Sequence, residues 1–174
     1  MLFRSKLTDA FGNKADAVLA RYPLADYDTP ALALAAVVSD WGGSIGACPV
    51  LRTAEAASAR QPVYAYEFAE DSGQYLNGFP MGSYHGLDLP YLWDLDPLWP
   101  SMYPVLTPAQ ERLSATIIDY LSAFARTGNP NGPHRPQWPK FGSNGTVIEL
   151  STSGIAPTPS AANHRCGFWA GLPS

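Results

Sequence analysis

A serine, two acids and a histidine stand in this chain in an order that suits nucleophilic catalysis. Gly42-Gly43-Ser44-Ile45-Gly46 satisfies Gly-x-Ser-x-Gly, Glu70 and Asp71 follow, and His85 comes later in Gly82-Ser83-Tyr84-His85-Gly86-Leu87-Asp88. In such a set the imidazole takes the hydroxyl proton and returns it to the leaving group, while the acid orients the ring. A working nucleophile elbow, however, requires a buried strand directly before the serine and a helix directly after it. Here the Ala31 to Val38 run is rich in Ala and Leu and capped by proline, so it reads as helix, and Pro49 follows too soon for a long helix to leave Ser44. The stretch therefore reads as a glycine-rich turn, and a self-contained hydrolase using Ser44 is the weakest expectation. Three histidines and two cysteines show no metal-ligand spacing. His134, in a Pro/Gly loop, and His164 receive no catalytic role.

The elements that must position His85 follow from periodicity and punctuation. Asn13 to Tyr22 places Ala15, Val18, Leu19 and Tyr22 on one face of a short amphipathic helix. Thr29-Pro30 is a capping hydroxyl followed by proline at the first helical position, and the apolar run through Val38 continues that helix. Pro49 opens a third helix ending near Arg60. Pro62 to Phe68 is enriched in aromatic residues and has proline at its edge, which reads as a strand. Thr107-Pro108-Ala109-Gln110 is a capping box, with Leu113, Ile117, Leu121 and Phe124 along one face and Gly128 with Asn129-Pro130 as the stop. Thr146 to Leu150 reads as a second short strand. Strand followed by a glycine-flanked histidine loop is the order an α/β-hydrolase uses at its last central strand.

Composition excludes several classes. In 174 residues, 46% hydrophobic content with 12% aromatics is incompatible with a disordered chain and sufficient for one core. A net charge of −4 and a pI near 5.2 argue against nucleic acid or an anionic membrane as partner. The sequence contains no apolar run of transmembrane length. Met1 to Asp9 carries charges where a signal peptide has its apolar region, so the sequence assigns no compartment.

Five separated blocks carry a likeness. They are Val38-Ser39-Asp40 with Ala47-Cys48-Pro49; Pro62 to Phe68; His85-Gly86-Leu87-Asp88-Leu89-Pro90-Tyr91; Phe124 to Asn131 with Trp138-Pro139; and His164-Arg165-Cys166-Gly167-Phe168-Trp169. In this order they resemble the type-B carboxylesterase/lipase family, the cholinesterase-like branch of the α/β-hydrolases. The resemblance spans nearly the whole chain and matches the C-terminal part of that fold, helix-rich with few strands. It implies that His85 is the triad's general base, that Asp88 supports the histidine loop, and that Cys48 pairs with Cys166. Such a bond closes a loop on the order of 100 residues and stabilises by about 4–5 kcal/mol in the chain-entropy model. It would also favour an oxidising compartment for the parent protein, compatible with secretion.

The resemblance equally defines what residues 1–174 do not contain. The family's nucleophile elbow, its acid and its glycine-rich oxyanion loop all lie upstream of the matching region. The expected partners are a small-molecule ester in the complete enzyme and an N-terminal half of the same hydrolase. No cofactor is implied. The isolated chain is expected to be inactive, because the oxyanion hole is usually a large catalytic contribution. The alternative is a non-catalytic remnant or interaction module on a hydrolase scaffold. Tyr91, Trp93, Trp99 and Tyr103 form an aromatic stretch read as core in preference to a substrate pocket. A strand at Val63 to Phe68 without upstream neighbours is expected to be an exposed edge.

Overall fold

A computed structural model describes residues 2–93 and 105–172, so Trp99 and Tyr103 lie outside the described residues. The chain divides into two compact units. One holds the chain up to Ala56 and again from Ser160, and the other is Ala57–Pro159. Among the described residues no helix is long and apolar enough to cross a membrane.

The first unit is helical. It consists of α1 (Leu2–Phe11), α2 (Ala15–Arg21), α3 (Pro30–Trp41), most of α4 (Ala47–Ser58), α7 (Ser160–Asn163) and α8 (Cys166–Gly171). The Thr29 side chain accepts from the Leu32 N–H and Pro30 sits in the first turn of α3, as the Thr-Pro pair predicts. α4 starts two residues before Pro49, which the first turn tolerates because no amide hydrogen is needed there. α1 goes beyond the sequence reading. Its charged residues mask a sparse stripe in which Phe3 and Leu7 are the buried positions. These join Val18, Tyr22, Ala33, Val37 and Trp169 in one core.

Two devices hold this unit. Cys48 at the start of α4 is bonded to Cys166 at the start of α8, 118 residues away, which agrees with the pairing implied by the resemblance. Beside it, the Asp40 carboxylate is 3% exposed and accepts from the Tyr22 hydroxyl at 2.6 Å and from Arg165 at 3.2 Å. It also faces His164 Nδ1 at 2.6 Å. Trp169 Nε1 donates to the Tyr22 oxygen at 2.8 Å, and the Arg165 guanidinium lies over the Tyr22 ring. A buried carboxylate needs such a full set of donors, since desolvation would otherwise expel it or neutralise it. Burial, first, and then Asp40 raise the Tyr22 hydroxyl well above its ordinary value, so it remains a donor.

The second unit is built on a small mixed sheet. β1 (Tyr66–Phe68) runs parallel to β4 (Val147–Ser151), and β4 pairs antiparallel with β5 (Gly154–Thr158), in the order β1-β4-β5. β1 is shorter than the predicted strand. Its approach continues as extended backbone in which the Val63 and Ala65 carbonyls accept from Phe141 and Ile148. β5 has no sequence signal, because Gly154 to Thr158 lacks β-branched alternation and contains Pro157. At a sheet edge proline costs no ladder bond. The crossover from β1 to β4 passes through a small hairpin, β2 (Tyr75–Leu76) and β3 (Phe79–Pro80), then α5 (Leu89–Leu92) and α6 (Pro108–Thr127). α6 has the predicted capping box at Thr107 and Gln110 and ends at Gly128 with φ 71°. Its buried face is Leu113, Ile117, Tyr120 and Ala123. Phe124, expected on that face, is exposed and meets the Tyr64 ring edge-on. Trp138 completes the core and donates from Nε1 to the Ala65 carbonyl at 2.9 Å.

Reducing the Cys48–Cys166 bond is expected to destabilise the first unit by about 4–5 kcal/mol in the chain-entropy model. Denaturant unfolding followed through Trp169, against variants that leave only the other tryptophans reporting, measures this directly. An unchanged midpoint after reduction would contradict it.

Candidate active site

His85 sits on a loop leaving the carboxyl end of a strand that is parallel to its neighbour. That is where open α/β sheets gather their reactive groups. After β1 the chain makes the β2–β3 hairpin, whose Asn77 (φ 51°) and Gly78 (φ 81°) supply the two left-handed positions of a tight turn. It then returns along its outgoing path, with the Ser72 N–H donating to the Gly82 carbonyl at 3.1 Å.

The loop around His85 is pinned on both sides. The Ser83 hydroxyl donates to the Phe68 carbonyl, at the end of β1, at 2.7 Å. Beyond the histidine, the Leu87 N–H closes a turn onto the Tyr84 carbonyl at 3.0 Å, Gly86 takes φ 88°, and Leu87 is fully buried. The Tyr66 hydroxyl, from β1, donates to Asp88 Oδ2 at 3.4 Å. His85 itself is exposed, and among the described residues no hydrogen bond or ion pair occupies its ring. A ring held by its backbone and left open at its nitrogens suits proton transfer to an incoming group. Burial, followed by the Asp88 charge and hydrogen bond, raises the Tyr66 hydroxyl above its ordinary value.

The other candidates do not join His85. Ser44 is an exposed residue in the turn between α3 and α4, with a helix before it in place of the strand an elbow needs. The glycines around it have a steric reason. A Cβ on Gly46 would stand 2.6 Å from the Gly42 nitrogen, one on Gly42 would stand 2.3 Å from the Val38 carbonyl oxygen, and Gly43 has φ 56°. Ser44 also belongs to the first unit, whereas His85 belongs to the second. Asp71 accepts from the Gly73 N–H and shapes its own turn. Glu70 is buried against Thr152 and Gln110. In the aromatic stretch, Tyr91 is core and Trp93 is 65% exposed. Sequence reasoning missed the joining of His164 to Asp40 and of Glu70 to Gln110 and Thr152. Their partners lie 124, 40 and 82 positions away, beyond any local pattern.

A family model described as the carboxylesterase family matches residues 7–169. The chain belongs to the carboxylesterase family. It is 33% identical over 123 residues to a cocaine esterase of Homo sapiens, covering 70% of this chain and 22% of that protein. It is 34% identical over 126 residues to an acetylcholinesterase of Bungarus fasciatus, covering 70% and 20%. An acetylcholinesterase of Gallus gallus is 31% identical over 159 residues, covering 89% of this chain and 20% of its own length. The chain thus spans about a fifth of the length of these curated relatives.

The Tyr66 pin yields a pH test. Because its folded-state value is raised above 10.0, the folded state holds the hydroxyl proton more tightly than the unfolded state. Its stabilisation is complete below pH 10 and is lost as pH rises through the folded value. Hydrogen-exchange protection at Leu87 is expected to drop above that point in the native chain, whereas Tyr66→Phe removes this pH dependence.

Proposed function

We propose that this chain supplies the general-base histidine, His85, of a carboxylic-ester hydrolase whose serine nucleophile, acid and oxyanion donors come from another part of the hydrolase. The observation that carries this reading is the loop. It places an exposed imidazole at the carboxyl end of β1, clasped before and after by Ser83 and Asp88, in a chain of the carboxylesterase family. Asp88 acts through Tyr66 to fix the loop, a supporting role and not a proton-transfer role. In the reaction, His85 takes the serine proton as the hydroxyl attacks the ester carbonyl and delivers it to the departing alcohol. A water activated the same way then releases the acid. The substrate class is a small carboxylic ester, and no cofactor takes part.

A fluorophosphonate probe with peptide mapping tests this. The chain alone is expected to take no label at Ser44. Supplying an upstream carboxylesterase segment that carries a Gly-x-Ser-x-Gly elbow is expected to give label on the supplied serine and ester turnover. His85→Ala should then reduce that turnover by roughly a thousandfold or more, as loss of a triad base does. Label on Ser44 in the chain alone, or turnover indifferent to His85, would overturn the proposal.

A further inference from the structure

Glu70 is the most heavily engaged buried acid of the second unit, and proton transfer at His85 makes no use of it. It is 5% exposed and stands two residues past β1, where the histidine loop departs. Its Oε2 accepts from the Thr152 N–H at 2.7 Å and lies 2.9 Å from the Thr152 hydroxyl, which also lies 3.0 Å from Oε1. Oε1 further accepts from Gln110 Nε2 at 3.1 Å. Thr152 sits in the turn between β4 and β5, and Gln110 is in the first turn of α6. Gln110 is already committed by its other atom, since its Oε1 accepts from the Thr107 N–H at 2.9 Å in the capping box. Its amide is therefore fixed in orientation, with the donor end aimed at Glu70.

The far end of the loop reaches the same place. Tyr91 of α5 is 2% exposed, stacks edge-on with Phe68 at 4.9 Å, and through its carbonyl accepts from the Ser114 hydroxyl of α6 at 2.7 Å. Its own hydroxyl is pushed up to about 12 by burial first and by the Glu70 charge second, with a Gln110 hydrogen bond opposing. The segment that carries His85 thus leaves the core at Glu70 and re-enters it at Tyr91, and both ends are bonded to α6.

We propose that Glu70 is the positioning residue of the histidine loop: its buried carboxylate fastens the departure of the loop to the β4–β5 turn and to α6, which in turn holds the α5 end through the Ser114–Tyr91 bond. With an amide at position 110, the role requires a carboxylate at position 70. Two oxygens must accept from three donors, so an amide in the same place presents its own N–H₂ to one of them. Glu70 does not touch the reacting atoms, and it acts on proton transfer only by holding the backbone that carries the imidazole. Its significance for catalysis rests on the reading of His85 as general base, but the geometry it controls can be measured without any substrate.

The test compares the native chain, Glu70→Gln and the double variant Glu70→Gln/Gln110→Glu by NMR. The readouts are the His85 ring signals and the exchange rates of the Leu87 and Leu89 amides. Both amides are bonded within the loop, to the Tyr84 and Gly86 carbonyls. Glu70→Gln sets two donors against each other. It is expected to broaden or split the His85 signals and to speed exchange at Leu87 and Leu89 roughly tenfold or more, given the usual cost of an unmade buried hydrogen bond. The Trp138 and Trp169 indole signals should stay in place. The double variant reverses donor and acceptor and should restore a single His85 species. Unchanged His85 signals and loop exchange in Glu70→Gln would overturn the proposal. So would loss of the Trp138 signal, because Glu70 would then be holding the core and not the loop. These outcomes are independent of the labelling experiment: inactive complementation with a Glu70-dependent loop removes only the esterase reading.

Discussion

Two strands that run in the same direction cannot be joined by a tight turn, so the chain between them must leave one end of the sheet and return to the other. The parallel pairing of Tyr66–Phe68 with Val147–Ser151 imposes this on the second unit. The crossover contains the histidine loop, α5 and α6, and it must begin at the carboxyl end of β1. Everything assigned to the loop follows. Phe68 supplies the carbonyl for Ser83, Tyr66 the hydroxyl for Asp88, and Glu70 the carboxylate that meets α6. Without the β1–β4 register, none of these donors and acceptors would share one end of the sheet.

The two units solve the stability problem differently. In the first, short helices surround a cluster in which Trp169, Tyr22 and Phe11 rings meet, and a long-range covalent bond ties its discontinuous pieces together. The Asp40 cluster adds directional bonds where the apolar core alone would leave helix positions loosely specified, at the cost of burying a charge. In the second, the core is contiguous in sequence, and Trp138 does the joining. Its indole N–H reaches the Ala65 carbonyl just before β1, its backbone is held by Asn131 at both the N–H and the carbonyl, and its ring faces Tyr120 and Tyr66 edge-on. The Gly-Asn-Pro-Asn segment and the Trp-Pro that follows it are therefore one structural device.

Local signals in the sequence carried much of this arrangement. Thr29-Pro30 and Thr107 to Gln110 announce their helices because a cap is chemistry between residues three apart. Gly128 announces a stop because its left-handed φ suits few other residues. The glycines flanking Ser44 mislead for the same reason. Backbone approaches as close as those at Gly42 and Gly46 require glycine whether or not a nucleophile stands between them. α1 escaped notice because only two of its ten residues are buried, and β5 because an edge strand need not alternate. The roles of Glu70 and Asp40 were illegible, since a carboxylate reveals burial only when its distant donors are known. For His85 the loop was legible from glycine spacing and family likeness, and Ser83 and Asp88 beside it read as residues that could hold it, whereas the partners they use, the Phe68 carbonyl and the Tyr66 hydroxyl, needed coordinates.

The Ser83 hydroxyl has a bearing on how this chain meets other strands. Ala65 and Ala69 direct their ladder bonds toward β4, so by the alternation of a parallel pair Tyr66 and Phe68 direct theirs outward. That outward row is the kind of template on which extended chains add and fibrils start. Ser83 already occupies the Phe68 carbonyl, so at that position the outward row presents an acceptor that is already satisfied. The side chain that steadies the histidine loop thus also removes one bond from the template.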